Sequence, residues 1–130
     1  MINIAINTRV GGFRLSAKAI KRLAELEGKE CFFFVCQSFN KYVQVNIEDI
    51  GDSRFYAYSD CSLDSKNYIS AHDYKRDNPK LIQVINELGD EVNTRFSSIK
   101  IVEIPEGVDW EIEEDSDGTE VVREKSRIWS

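Results

Sequence analysis

Residues 2–7 alternate Ile2, Ile4 and Ile6 with Asn3, Ala5 and Asn7. A period of two carrying β-branched residues predicts a strand. Gly11-Gly12 ends it. Ser16 then stands where a helix cap belongs, because its hydroxyl oxygen can accept from the first unpaired backbone amides. Ala19, Ile20, Leu23 and Leu26 follow at helical spacing and Gly28 supplies the stop, which predicts a first helix over 16–27. The run Cys31-Phe32-Phe33-Phe34-Val35-Cys36 is continuously apolar, the pattern of a buried central strand. Residues 42–47 alternate and predict another strand, with a third over 54–58. Residues 59–77 are polar and aperiodic and predict a long excursion, the kind of segment that often carries function.

Asn78-Pro79 opens a second helix over 79–88, with the cap first and the proline where its missing N–H is harmless. Leu81, Val84, Ile85 and Leu88 form its stripe and Gly89 closes it. Ile99–Ile104 reads as a strand stopped by Pro105. Trp110, Ile112 and Val121 flank Asp115-Ser116-Asp117-Gly118 and predict a C-terminal β-hairpin. The order β-α-β-β-β-α-β-β-β places the chain in the α+β class. A mixed sheet of five to six strands is expected, with two helices on one face, in a single domain spanning 1–130.

Composition supports a packed core. Of 130 residues 42% are hydrophobic, with seven Phe, five Tyr and two Trp, enough apolar mass to offset chain entropy without metal or disulfide support. No stretch approaches the roughly 18 apolar residues of a membrane span. The first residues lack a basic segment and a long apolar one, so no signal peptide is expected. Cys31, Cys36 and Cys61 are odd in number and irregularly spaced, which argues against a secreted disulfide framework and for a cytoplasmic setting.

The net charge of −6 is unevenly placed. Residues 103–124 hold ten acids and one base, Arg123, whereas the remainder holds thirteen acids and sixteen bases. An acidic balance disfavours general nucleic-acid binding. The basic excess includes Arg9, Arg14 and Lys18 around the Gly11-Gly12 turn. A strand feeding a glycine turn and then a helix start exposes backbone amides at the positive end of a helix dipole, which suits a phosphate or carboxylate. The turn is neither a GxGxxG nor a P-loop motif, and a tight turn needing positive φ would also select glycine.

Two further arginines are candidates for ligand binding: Arg76, just before the second helix, and Arg127, beside Trp129. An arginine near an aromatic can clamp a planar or anionic group by stacking and forked hydrogen bonds. Asp109, Glu111 and Glu113 would share one strand face at roughly 6.5–7 Å spacing, close to phosphate spacing along a single strand. His72 is the only histidine. It forms no nucleophile–base pattern with a serine or cysteine. With Cys31, Cys36 and Cys61 it lacks the CxxC pair of a zinc site, so neither a catalytic set nor a metal or other cofactor is expected.

Several blocks resemble a family of small uncharacterised proteins common in bacteriophages and prophages. They are Ile4-Ala5-Ile6-Asn7-Thr8 with Gly11-Gly12-Phe13 and Leu15-Ser16; Arg76-Asp77-Asn78-Pro79 with Leu81-Ile82-Gln83-Val84-Ile85 and Glu87-Leu88-Gly89; and Lys100-Ile101-Val102-Glu103-Ile104-Pro105 with Val108-Asp109-Trp110-Glu111-Ile112, Asp117-Gly118 and Glu124-Lys125 with Arg127 and Trp129. The chain departs from the family pattern at Arg9-Val10 and Thr119-Glu120. The resemblance implies a phage origin and residence in the host cytoplasm. It implies no activity.

The expected function is therefore that of a phage accessory protein, for host takeover or anti-defence, acting by binding. Its form would be a pocket for a small anionic ligand such as a nucleotide signal, built from Arg9, Gly11, Gly12, Arg14, Arg76 and Arg127. An acidic inhibitor that imitates DNA towards a host protein, and a small nucleotide-processing enzyme, are the alternatives. No membrane or direct nucleic-acid partner is expected, and the composition is compatible with a homo-oligomer.

Overall fold

A computed structural model gives the fold and describes residues 1–39, 41–50, 54–95 and 97–124. Strand β1 (Ile2–Asn7) leads through the glycine turn to helix α1 (Ala17–Leu26). Strands β2 (Phe32–Ser38), β3 (Lys41–Val45), β4 (Tyr56–Tyr58) and β5 (Tyr68–Ile69) follow, then helix α2 (Pro79–Leu88). Strands β6 (Ile99–Ile104), β7 (Trp110–Glu114) and β8 (Glu120–Glu124) complete the order.

Both helices begin where their caps dictate. The Ser16 hydroxyl accepts from the Ala19 amide at 3.2 Å, and the Asn78 side-chain oxygen Oδ1 accepts from the Lys80 backbone amide at 2.8 Å. Each such cap contributes about 1 kcal/mol. Ala19, Ile20, Leu23 and Ala24 form the buried stripe of α1, and Leu81, Ile82, Val84 and Ile85 that of α2. Both stripes join one buried cluster with Ala5 of β1 and with Phe33, Ala57 and Ile69 from the inner face of the β3-β2-β4-β5 sheet. Burying a side chain of Leu or Ile size contributes about 1.5–3 kcal/mol, so this cluster is what fixes the helices to the sheet.

The α+β class holds, but the strands do not form one mixed sheet of five or six. Among the described residues they divide into the four-stranded sheet, a β1–β6 pair and the β7–β8 hairpin, and every pairing is antiparallel. The reason is the long-range partnership of β1. It pairs with β6 from Ile2 opposite Ile104 to Asn7 opposite Ile99, which removes both strands from the larger sheet. Local periodicity marks a strand but carries no information about its partner.

The apolar run 31–36 does become a central strand, flanked by β3 and β4. Successive side chains alternate between sheet faces, so Phe33 enters the core while Phe34, Tyr56, Tyr58 and Tyr68 share the other face. That face is knit by ring contacts, Phe34 to Tyr58 at 5.7 Å and Tyr58 to Tyr68 at 5.2 Å between centroids. The excursion over 59–77 is more ordered than its composition suggests. It holds a short 3₁₀ turn at Ser65–Asn67, strand β5, and a second turn at Ala71–Asp73 closed by a Ser70–Asp73 capping box.

Candidate functional site

The Gly11-Gly12 turn is formed as expected, with φ of 126° and 91°. Its close neighbour is the chain itself. The Gly11 amide donates to the Asp117 carbonyl oxygen at 2.9 Å, and Gly118 of the β7–β8 turn rests against the Gly12 backbone. The close approach that glycine permits is therefore taken by the hairpin tip. Arg9 stands exposed beside this contact, its carbonyl oxygen accepting from the Asn7 side-chain amide.

Behind the turn lies a buried polar network. Glu120 is 3% exposed, and its carboxylate accepts from Arg76 Nη1 at 2.7 Å, from Arg76 Nη2 at 2.8 Å and from the Asn7 backbone amide at 2.8 Å. Arg76 Nη1 also donates to the Ala5 carbonyl oxygen at 3.2 Å, and Arg76 Cζ lies 3.6 Å from the centre of the Phe13 ring. Asn7 completes the set: its amide donates to the Gly118 carbonyl and its oxygen accepts from the Ser98 amide. Breaking such a buried pair from one side costs about 3–5 kcal/mol, because the remaining charge is left uncompensated. The guanidinium of Arg76 is thus committed to the interior. Its forked geometry serves the hairpin carboxylate rather than a ligand.

Arg14 has a different setting. It lies on the rim of a cleft of about 750 Å³ beside the start of α1. Phe13, Leu15, Ile20, Ile50, Ala57 and Ile69, all buried, give the cleft an apolar floor. Four cationic residues, Arg14, Lys18, Arg54 and Arg95, and two acidic ones, Glu48 and Glu91, are among those that line it. Lys18 pairs with Glu91 at 3.1 Å, and Arg54 leans over the Tyr56 ring at 5.6 Å. Ser16 and the first turn of α1 also border the opening, so the positive end of the helix dipole faces it. His72 closes one side, with its ring centre 6.4 Å from that of Phe13. In a protein of net charge −6, a cationic rim over an apolar floor is suited to an organic anion.

The residues expected from sequence therefore separate. Arg14 reaches the cleft; Arg9, Gly11 and Gly12 sit at the hairpin contact; Arg76 backs the cleft wall from inside; Arg127, with Trp129, lies outside the described residues. Arg54, Tyr68, Asn93 and Arg95 line the cleft and carry no motif that would single them out. The one readable signal was Ser70-x-x-Asp73, a capping-box pattern that orders the His72 side.

On the hairpin, Asp109, Glu111 and Glu113 face solvent and Trp110 is half-buried, as alternation requires. Arg123 stands opposite Glu111 and pairs with Glu113. The acidic row is therefore interrupted by a guanidinium whose pKa the Glu113 hydrogen bond raises further. Among the described residues no three His, Cys, Asp or Glu side chains converge to hold a metal ion, and no helix is long and apolar enough to cross a membrane.

Searches of protein-family models, of curated proteins and of solved structures find nothing that matches this chain.

Proposed function

We propose that this protein binds a small organic anion in the cleft beside the start of α1, and that binding rather than turnover is its activity. The observation that carries this reading is the contrast between the cleft and the rest of the chain. Arg14, Lys18, Arg54 and Arg95 outnumber Glu48 and Glu91 among its lining residues, beside buried apolar side chains, in an acidic protein. The floor favours a flat or apolar body and the rim favours a negative group, a combination that nucleotides and cyclic nucleotides supply. Taken with the resemblance to phage proteins, this supports sequestration of a host nucleotide signal as the use of the site. The acidic hairpin supports an inhibitor that imitates DNA less well, since Arg123 neutralises part of its face.

A thermal-shift screen against nucleotides and cyclic nucleotides, followed by calorimetry, tests the reading. Arg14→Ala and Arg54→Ala are expected each to weaken binding by on the order of tenfold or more, the loss of one charge-assisted contact. Lys41→Ala, on an exposed strand away from the cleft, is expected to leave it unchanged. Arg9→Ala separates the cleft from the glycine turn: a loss in Arg9→Ala with Arg14→Ala unaffected would move the site to the turn. Absence of any stabilising anion across the screen would remove the proposal.

A further inference from the structure

We propose that Arg76 and Glu120 are positioning residues for the cleft, so that seating of the β7–β8 hairpin sets the affinity of a site the hairpin does not touch. This rests on the reading of the cleft as a binding site. None of the cleft-lining residues comes from 103–124. The connection runs through Phe13. That ring is 3% exposed, belongs to the cleft wall, and stacks on Arg76 with 3.6 Å from Cζ to the ring centre. At that distance guanidinium and ring are in van der Waals contact, so one cannot shift without the other.

Arg76 in turn has little freedom. Both of its terminal nitrogens are forked onto the Glu120 carboxylate at 2.7 and 2.8 Å, and one also reaches the Ala5 carbonyl at 3.2 Å. The Glu120 side chain is 1% exposed and holds the Asn7 amide as well, so β1, β8 and the cleft wall share one closed network. A wall backed by a charged plane depends on the counter-ion that holds that plane. If the hairpin lifts, Arg76 loses the carboxylate that fixes its plane and can turn to water or another acid, and Phe13 loses its backing. The coupling also works in reverse: a ligand that presses on Phe13 stabilises the docked hairpin.

The test uses the full chain and 8-anilinonaphthalene-1-sulfonate, a planar apolar monoanion, as the probe. Arg76→Lys keeps the charge that Glu120 needs but removes the flat face that supports Phe13. A paired variant, Arg76→Met with Glu120→Leu, removes both charges and keeps the site filled should the lysine variant fail to fold. Chemical denaturation verifies folding of each. Separately, 4-fluorophenylalanine in place of Phe13 reports the ring environment by fluorine NMR without any ligand. The expected result is a displaced fluorine resonance and probe affinity weaker by about threefold or more. A folded variant with the resonance and affinity of the parent protein would overturn the proposal. If no protein in the set binds any anion while the resonance still moves, the cleft reading fails and the positioning of Phe13 by Arg76 stands.

Discussion

Gly118 approaches Gly12 so closely that a Cβ built on it would stand 2.4 Å from the Gly12 amide nitrogen and 2.9 Å from its Cα. Both atoms are backbone, so no side chain can yield to make room. The glycine in the β7–β8 turn is therefore required twice, by its φ of 94° and by the contact.

Gly107 provides the comparison that separates these two requirements. It also has positive φ, 83°, but nothing lies within 4 Å of a Cβ there. Gly107→Ala is expected to cost about 1 kcal/mol through backbone strain alone. Gly118→Ala is expected to cost at least about 2 kcal/mol more, since the hairpin tip must move off the glycine turn. Urea denaturation of the two variants measures the difference. Equal destabilisation would mean that the tip is not seated on Gly12.

The three thiols should differ in reactivity. Cys36 and Cys61 are exposed, whereas Cys31 is half-buried and burial pushes its thiol up to about 11. At pH 8 such a group is only about one part in a thousand thiolate, and the thiolate is the reacting form. Iodoacetamide at that pH, followed by intact mass, is expected to add two groups quickly and the third only on unfolding. Early modification of Cys31 would contradict its placement.

Three exposed carboxylates make stability depend on acid. Asp60 is held below the ordinary carboxylate range by the Ser62 hydroxyl and amide, Asp117 by the Thr119 amide and hydroxyl, and Glu87 by Arg22 and Gln83. A lower value in the folded than in the unfolded chain means that the unfolded chain takes up protons first on acidification. Their contribution is complete above the ordinary carboxylate range and is lost as pH falls from about 4.5 through the folded values. The stability advantage of the parent protein over Asp117→Asn is therefore expected to be constant from pH 7 to pH 5 and to shrink as pH falls below the ordinary carboxylate range. An advantage that grew on acidification would reverse the sign and refute the assignment.

Helix α2 was fully legible in the sequence, because its start and stop are set by adjacent residues: Asn78 caps, Pro79 fits the first position, and Gly89 takes φ of 57°. Strand β5 was not legible. Its two residues, Tyr68 and Ile69, are too few to show a period, and they form a strand only because β4 lies beside them. The glycine pair was legible as a place where something comes close, since only glycine tolerates both the conformation and the contact. What comes close is more than a hundred residues away in the chain, and no local pattern encodes it. Arg76 shows the same limit. An arginine preceding a helix looks available until Glu120, 44 positions later, claims both of its terminal nitrogens. Of the cleft, only the side contributed by the start of α1 could be read, because its other walls are brought in from separate elements.

The pairing of β1 with β6, and the bond from the Asn7 amide to Glu120 across 113 positions, also bear on how the molecule forms. Ile4 and Ile6 are fully or nearly buried at the end, yet during synthesis they emerge more than 90 residues before the strand that covers them. At about 5–20 residues per second that is a wait of roughly 5–20 s. The helices, built from neighbouring residues, can form far sooner, and closure of so long a loop opposes early pairing. The nascent chain thus carries a sticky, unpartnered β1 until β6 has emerged to pair with it.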